Sequence, residues 1–300
     1  MTPFFSRFAR TLAALPLAAV LFACASLPAR AEPPMWVIKD SDSTIYLFGT
    51  VHILRPQTQW RTPRIDAALA ESKELWMEIL TPSDEEMAQV MGPLLLSKGL
   101  SLDKPLSARM TAEDRASLER AIRVAKLPAD TAQSIEMMQP WMVAAVLETS
   151  AMTADGFENA AGVEEVLEAS ARREGDSIKA LETIELQLNV FANLPEADQM
   201  AFLRDVLENI GDLEETDRII DAWARGDLGP MEQEAIAMKR DAPVLHEAIA
   251  TRRNENWAVQ IEQMLKGSGT SFIAVGAGHF AGPDNVLERL RARGINAERY

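Results

Sequence analysis

TIYLFGTVHIL, residues 44–54, is a run of β-branched, aromatic and other apolar residues that is broken by the motif Gly-Thr-Val-His52. This composition predicts a buried strand that ends near the histidine. TSFIAVGAGHF, residues 270–280, follows the same plan and reaches Gly-Ala-Gly-His279. The sequence therefore predicts two strands that each present an imidazole just beyond their end.

The segments around the first motif predict a compact β-α-β unit. MWVIKD (35–40) and STIYLFGT (43–50) predict a hairpin, RTPRIDAALAESK (61–73) predicts a helix, and ELWMEIL (74–80) predicts a further strand. A helix that joins two strands in this order implies a parallel pair with a right-handed crossover.

The C-terminal part repeats this order. GPDNVLERLRARG (282–294) predicts a helix after the second motif, and INAERY (295–300) predicts a final strand. In the middle of the chain, NAAGVEEVLEASARREG (159–175) predicts a helix and DSIKALET (176–183) a strand. We expect an α/β fold in which pseudo-duplicated β-α-β halves form a central mixed, largely parallel sheet.

Most of the remaining sequence predicts helices, which are either amphipathic or, in MMQPWMVAAVLETSAM (137–152), nearly all apolar. We expect one domain over residues 32–300, with a large helical insertion at about 84–160 and 195–266. No low-complexity linker divides this part of the chain.

The N-terminus predicts an exported protein. Two early arginines precede an apolar stretch broken by Pro16, and Ala29-Arg30-Ala31 is a small-x-small cleavage signature. We predict a signal peptide over 1–31 and a mature chain from Glu32, in the periplasm or outside the cell. Lipidation at Cys24 and an uncleaved N-terminal membrane anchor are the alternatives; no later stretch is long and apolar enough to span a membrane.

Charge and cysteine content exclude several functions. The 30 basic and 45 acidic side chains give a formal charge of −15, which disfavours a nucleic-acid partner. Cys24 is the single cysteine and lies in the predicted signal peptide, so the mature chain has neither a disulfide nor a catalytic thiol. The sequence leaves the oligomeric state open.

Four polar residues end apolar runs: His52, Glu78, Glu182 and His279. In open α/β sheets, ligands bind at the carboxyl ends of parallel strands, where these side chains are expected to meet. Two imidazoles and two carboxylates suit a divalent cation with open positions, and they equally suit a metal-free acid/base pair. A structural salt bridge at Glu78 and a helix start at Glu182 are the plainer alternatives.

The glycines of the two motifs have an expected purpose. Gly49, Gly276 and Gly278 have no Cβ, so each can allow close backbone approach or a positive φ. Either property would leave room beside the histidines for a ligand.

The third histidine, His246, shares a predicted helical face with Ile249, Arg253 and Trp257. A histidine in this pattern is best explained as a packed or surface residue of a helix. Arg253 and Asn254 are more suggestive, because an arginine on an apolar stripe needs a carboxylate or an anionic substrate group.

Five segments together resemble the TraB/GumN family, which is related to the Tiki proteins: TIYLFGTVHIL, IDAALAESKELWMEI, ALETIELQL, TRRNENWAVQIEQML and FIAVGAGHFAGPDNVLERLRARG. The resemblance runs along residues 35–300. It implies an α/β core of two similar halves with a helical insertion. It also implies a metal-dependent hydrolase, since peptidase activity with manganese- or cobalt-type ions is reported for Tiki relatives.

Matched residue by residue, the family histidines fall on His52 and His279, and the family acids fall on Glu78 and Glu182. The arginine–asparagine pair falls on Arg253-Asn254. One position departs from the pattern: the family commonly has an aspartate shortly after a glycine, whereas this chain reads Gly162-Val163-Glu164. The longer side chain leaves a ligand or orienting role for Glu164 open.

We therefore expect an exported metal-dependent hydrolase that acts on a peptide or protein substrate. His52, His279 and Glu78 are the predicted metal ligands, and the predicted catalytic residues are Glu78, Glu182, Arg253 and Asn254. Manganese or cobalt is the cation implied by the resemblance, and the residue types also suit zinc or iron. The alternatives are a non-catalytic binding protein for a peptide, metal or haem ligand, and metal-free acid/base hydrolysis.

Overall fold

Six strands form one sheet in the computed structural model, which describes residues 32–300 apart from 82, 84 and 86. The strands are β1 Met35–Lys39, β2 Ser43–Thr50, β3 Glu74–Met77, β4 Ser177–Ala180, β5 Gly269–Gly276 and β6 Glu298–Arg299. Their order across the sheet is β4-β3-β5-β2-β1-β6. The predicted signal peptide, with Cys24, lies outside the described residues.

Four neighbouring strands of this sheet, β4, β3, β5 and β2, are parallel, and β1 is antiparallel to both β2 and β6. The predicted mixed, largely parallel sheet is thus confirmed. The predicted direct pairing of β2 with β3 is wrong, because β5 lies between them and pairs with both. The four residues from Phe272 to Val275 are at most 1% exposed, and a strand that is apolar on both faces favours this central position.

The sheet carries a large helical part. The α-helices are α1 Pro63–Glu71, α2 Ala112–Val124, α3 Ala129–Ser134, α4 Pro140–Ala154, α5 Val163–Glu174, α6 Ile184–Ala192, α7 Glu196–Asn209, α8 Leu213–Ala224, α9 Gly229–Asp241, α10 Pro243–His246, α11 Arg252–Met264 and α12 Val286–Ala292. An irregular helical stretch comprises Met87–Met91, Gly92–Leu94 and Leu95–Gly99, and a π-helical turn, Glu247–Thr251, joins α10 to α11. Short 3₁₀ turns occupy Leu106–Arg109, Ile135–Met137, Asn159–Ala161 and Ala277–Phe280.

These bounds confirm the helices predicted over 61–73, 159–175 and 282–294. The helices α2–α4 and α7–α11 fall within the ranges predicted for the insertion, whereas α6 falls between them. Among the described residues, no helix is long and apolar enough to cross a membrane.

The two faces of the sheet bury different side chains, as the period of a strand requires. Phe48 and Phe272 belong to the core cluster on one face, and Leu47 and Ile273 belong to the cluster on the other. A third cluster joins α2, α4 and α7. The nearly all-apolar α4 contributes Val143, Ala144 and Leu147, which are 0% exposed. Ala145, Glu148 and Thr149 of the same helix are exposed, so the helix predicted to be buried is buried on one face only.

Candidate active site

The parallel strands bring four predicted residues to one edge of the sheet. Thr50 of β2 pairs with Gly276 of β5, and Met77 of β3 pairs with both Ala274 of β5 and Ala180 of β4. The carboxyl ends of these strands therefore lie side by side. His52, Glu78, Glu182 and His279 each follow the end of one strand by one to three residues.

The N-terminus of α5 is packed directly against the end of β2. The Val163 N–H donates to the Val51 carbonyl oxygen at 3.1 Å, and a Cβ on Gly162 would stand 2.1 Å from the His52 carbonyl oxygen. Only glycine allows this approach, because no real Cβ tolerates such a contact. The contact places Glu164, in the first turn of α5, beside the His52 ring.

His52 is held by carboxylates on two sides. Its Nδ1 lies 2.8 Å from Glu164 Oε1, which also accepts a hydrogen bond from Thr50, and its Nε2 lies 3.9 Å from Glu78 Oε1. Desolvation would lower the pKa of His52, but the hydrogen bond with Glu164 and the charges of Glu164 and Glu78 raise it to about 9. The side chain is 62% exposed. Its raised pKa favours the protonated ring at neutral pH when no metal ion is bound.

His279 is held in the opposite protonation state. The Asn254 amide donates to the Asp284 carbonyl oxygen at 2.8 Å, so its Oδ1 faces His279 Nδ1 at 2.6 Å and accepts the Nδ1 proton. The unprotonated Nε2 then points inward, 3.1 Å from Arg253 Nη1 and 3.8 Å from Glu78 Oε1. Burial lowers the pKa of His279 to about 3, helped by the positive charges of Arg253 and His52.

Glu78 lies at the centre of the site and is 4% exposed. The Gly276 N–H donates to Oε1 at 2.7 Å, while Arg253 and Gln187 donate to Oε2 at 2.6 and 2.8 Å. Burial alone would raise the pKa of Glu78, but the His279 ring, the Arg253 guanidinium, the His52 ring and the Gly276 N–H together lower it to about 2. Glu78 is therefore an ionised carboxylate at neutral pH.

Arg253 contacts an acceptor of the protein through each of its three side-chain nitrogens. Its Nε lies 3.0 Å from both Glu182 oxygens, Nη1 reaches Ile249 O and His279 Nε2, and Nη2 reaches Glu78 and Glu182. The side chain is 12% exposed. Contact between Arg253 and a substrate anion would therefore require one of these bonds to be exchanged.

Glu182 is held as firmly as its partner. Its Oε1 accepts from the Trp257 indole N–H at 3.0 Å in addition to Arg253. The Trp257 ring is 0% exposed and packs against His279 with a centroid separation of 4.3 Å. Trp257 therefore contacts both the Arg253–Glu182 pair and the His279 ring and supports their positions.

All the predicted site residues are thus brought together, and they are His52, Glu78, Glu182, Arg253, Asn254 and His279. The third histidine, His246, is buried on α10 with Thr251 as its hydrogen-bond partner, as its position on the apolar stripe predicted. Two residues were missed, Trp257 and Gln187. Trp257 follows Arg253 by one helical turn on the same stripe, so its position was visible in the sequence. Nothing in the sequence around Gln187 indicated that this residue contacts Glu78.

The motif glycines differ in purpose. A Cβ on Gly276 would lie 3.1 Å from Glu78 Oε1 and 3.5 Å from His52 Nε2, so this glycine keeps the space among the three side chains open. Gly49 lies close to Ala277, where a Cβ would stand 3.1 Å from the Ala277 Cα. Around Gly278 a Cβ would meet nothing within 4 Å, so the close approach expected there is wrong.

The donor set has the chemistry of a metal site. Two imidazole Nε2 atoms and one carboxylate oxygen face the space beside Gly276, and Glu164 Oε2 is a buried oxygen that has no hydrogen-bond partner among the described residues. No group of three or more His, Cys, Asp or Glu side chains in the described part of the chain is arranged as a finished metal cage. Arg253 Nη1 contacts His279 Nε2 at 3.1 Å, and the raised pKa of His52 favours a proton on its ring. The residue types fit a divalent cation that replaces that proton.

The chain matches the model of the TraB/PrgY/gumN family over residues 34–299. It is also 22% identical, over 284 residues, to an uncharacterized protein of Treponema pallidum (strain Nichols), a match that covers 89% of this chain and 83% of that protein. No solved structure gives a significant match. Because the family model covers nearly the whole length, including every residue of the site described above, the chain belongs to the TraB/PrgY/gumN family.

Proposed function

We propose that this protein is a metal-dependent hydrolase that cleaves peptide bonds. One observation carries the proposal: both histidines hold Nδ1 on a fixed acceptor and direct Nε2 toward the same oxygen, Glu78 Oε1, at 3.9 and 3.8 Å. Histidines that bind metals typically donate their other ring N–H to a carboxylate or carbonyl-type oxygen in this way. Glu164 and Asn254 supply these acceptors.

In the proposed mechanism, His52, His279 and Glu78 hold the cation. When bound, a divalent cation supplies Lewis-acid polarisation of a carbonyl and lowers the pKa of a water molecule. Glu164 keeps the His52 ring oriented, and we assign its carboxylate as the base that takes the proton of the attacking water and passes it to the departing amine as the C–N bond breaks. Glu182 acts as a positioning residue, because Arg253 and Trp257 occupy it.

The proposed substrate class and the proposed cation are supported by family membership and not by distances in the structure. Membership of the TraB/PrgY/gumN family supports a peptide or protein substrate through the relation to the Tiki proteins. Manganese and cobalt are the first ions to test for the same reason. Zinc and iron also suit two imidazoles and a carboxylate.

The test combines metal analysis with turnover of a peptide library. We expect the wild type to bind one of these ions and to hydrolyse peptides only when the ion is present. His52→Ala, His279→Ala and Glu78→Gln should each lose both properties, whereas His246→Asn, the matched control at the third histidine, should retain them. Full hydrolysis in the presence of a chelator would contradict the metal-dependent mechanism and indicate acid/base catalysis by His52 and a carboxylate.

A second candidate is a non-catalytic binding protein for a peptide, a metal or haem. The observation that favours it is that every nitrogen of the Arg253 guanidinium already contacts an acceptor of the protein, so the side chain would have to exchange a contact before it could stabilise charge that develops during a reaction. A binding protein would retain its ligand unchanged, with a Soret band in the case of haem. Turnover of any library peptide by the wild type, lost in Glu78→Gln, would exclude this candidate.

We also propose that the protein is exported. The support is the charged, apolar and small-x-small order of residues 1–31 in the sequence. N-terminal sequencing of the protein from fractionated cells should give Glu32 in an exported fraction. A lipid-modified Cys24 would replace this cleavage site, and an intact N-terminus in the cytosol would contradict export.

A further inference from the structure

A second concave site lies among the helices, apart from the candidate active site. Its cavity has a volume of about 360 Å³, within the range of small-molecule sites. The wall is polar and includes Lys98, Asp103, Lys104, Arg109, Glu196 and Gln199. Ala192, the last residue of α6, also lines it, whereas Gln187 of the same helix binds Glu78. Five residues of helix, about 8 Å, separate these two positions.

Arg109, on the wall of the cavity, has an unpaired donor. Its side chain is only 4% exposed, Nη1 donates to Gln139 at 2.8 Å, and Nη2 donates to the Lys104 carbonyl oxygen at 2.9 Å. Its Nε is buried and has no hydrogen-bond partner among the described residues, since Glu196 Oε1 stands 4.0 Å away. A buried N–H of a cation that has no acceptor is unfavourable, and an anionic acceptor stabilises it best.

Gln199, on the same wall, has an acceptor that lacks a donor. The residue is 7% exposed, and its Nε2 donates to the Leu194 carbonyl oxygen at 2.9 Å, which fixes the orientation of the amide. Its Oε1 is buried and has no partner in the described part of the chain. The wall of the cavity therefore includes one residue with a donor that lacks an acceptor and one residue with an acceptor that lacks a donor.

The charge of the wall favours an anionic group at the Arg109 side. Lys104 is neutralised by Glu196 at 2.9 Å, but the partners of Lys98 Nζ are the amide oxygens of Asn189 and Asn193, at 2.6 and 2.8 Å. Among the described residues, no carboxylate oxygen lies within 4.0 Å of Lys98 Nζ. In a chain of net charge −15, the wall therefore keeps one cation, Lys98, without a carboxylate partner, while Lys104 and Arg109 share Glu196.

We propose that this cavity binds a small zwitterion, of the size of an amino acid or a dipeptide. Its carboxylate is bound by Arg109 Nε and Lys98, and its ammonium group donates to Gln199 Oε1, with Asp103 on the same wall. Both unpaired atoms are then satisfied by one ligand. The site is separate from hydrolysis and does not rest on the proposed function.

Isothermal titration calorimetry on the full-length protein tests this site. The probes are free amino acids and dipeptides, each paired with an N-acetylated and an amidated analogue. We expect one-site binding of at least one zwitterion, and binding about tenfold weaker or more when either charge is removed. Absence of binding by every probe, or equal binding of the blocked analogues, would overturn the proposal.

Variants assign the binding to the cavity. Lys98→Met removes the unmatched cation and Gln199→Met removes the acceptor at nearly constant volume, and each should weaken binding about tenfold or more. Lys39→Met, at an exposed lysine of β1, is the control and should bind like the wild type. His52→Ala should also keep the affinity, since a loss would place the ligand in the candidate active site. Because Lys98→Met changes only a partly exposed side chain, unchanged affinity in this variant would overturn the assignment even if Gln199→Met failed to fold.

Discussion

Gly162 lies where the first turn of α5 meets the carbonyl oxygen of His52. The backbone contact joins the end of β2 to the helix that carries Glu164, so it sets the distance between Glu164 and the His52 ring. Gly162, which has no side chain, thus fixes how Glu164 and His52 lie relative to each other. The departure from the family pattern, Glu164 in place of an aspartate, still gives a 2.8 Å contact to Nδ1.

Gly162→Ala should therefore damage both stability and the site. Its Cβ would stand 2.1 Å from the His52 carbonyl oxygen, and relief requires a shift of β2 or α5. We expect a loss of about 1–3 kcal/mol in the free energy of unfolding, as for overpacked interiors. Urea denaturation measures this, with Gly278→Ala as control, because a Cβ there meets nothing within 4 Å. Equal stability of the two variants would contradict the packing argument.

Arg253 is the cation that the buried carboxylates of the site require. Glu78 and Glu182 have side chains that are 4% and 8% exposed, and each would be a costly isolated charge without the guanidinium. Arg253 therefore belongs to the folding energetics of the site whatever its part in chemistry.

Arg253→Met should lower the free energy of unfolding by about 3–5 kcal/mol, because it leaves buried carboxylates unpaired. The double variant Arg253→Met/Glu182→Gln should recover part of this loss, since one of the two unpaired charges is gone. Glu182→Gln alone should be less damaging than Arg253→Met. Chemical denaturation of the three variants measures the effect, and a double variant less stable than Arg253→Met would contradict the ion-pair explanation.

At the scale of elements, strand ends explain why so much of the site was visible in the sequence. Each of His52, Glu78, Glu182 and His279 closes an apolar run, which is a local signal, and parallel pairing places all such ends at one edge of a sheet. The order of the strands was not local information. β5 enters between β2 and β3 from almost 200 residues further along the chain, and its apolar faces determine that position only once the sheet exists.

The start of α2 shows an element whose stability depends on pH. Thr111 and Asp114 form a capping box, and Arg204 of α7 donates to both oxygens of Asp114 at 3.0 and 3.1 Å. The hydrogen bonds from Arg204 lower the pKa of Asp114, against the effect of burial, with help from Thr111. The folded pKa thus lies below the unfolded value of about 3.9. The unfolded chain binds the proton first, so this stabilisation is present above the unfolded pKa and is lost as pH falls through the folded one.

Asp114→Asn should lower the free energy of unfolding at pH 7 by about 1–3 kcal/mol, because it removes a charged acceptor of Arg204. The difference from the wild type should shrink as pH falls below about 4, where Asp114 of the unfolded wild-type chain binds a proton, and it should disappear below the folded pKa. Glu113→Gln, at the exposed neighbouring acid, is the control and should follow the wild-type curve. A deficit that persists unchanged at low pH would show that shape, and not charge, is the cause.

For the whole molecule, the candidate site joins segments that lie far apart in sequence. Seven segments contribute a side chain to it: the ends of β2, β3, β4 and β5, the start of α5, and the helices α6 and α11. The types of the site residues were predictable, because each of these residues stands at a recognisable place in the pattern of its own segment. Their partners were not predictable, because the contacts of Arg253 with Glu78 and Glu182 and the contact of Gln187 with Glu78 arise only when α6 and α11 pack over the strand ends.

Because the proposed cation would bind residues from the N-terminal and the C-terminal parts of the chain, its binding should stabilise the entire fold. A ligand that binds only the folded state stabilises it by about 2.7 kcal/mol at a hundred times its dissociation constant. Added manganese, cobalt or zinc should therefore raise the melting temperature of the wild type in a concentration-dependent way, and a chelator should reverse the shift. Differential scanning fluorimetry on the wild type and His52→Ala/His279→Ala measures this. The double variant should not respond, and an equal response in both proteins would place the cation elsewhere, such as on the many surface carboxylates of this acidic chain.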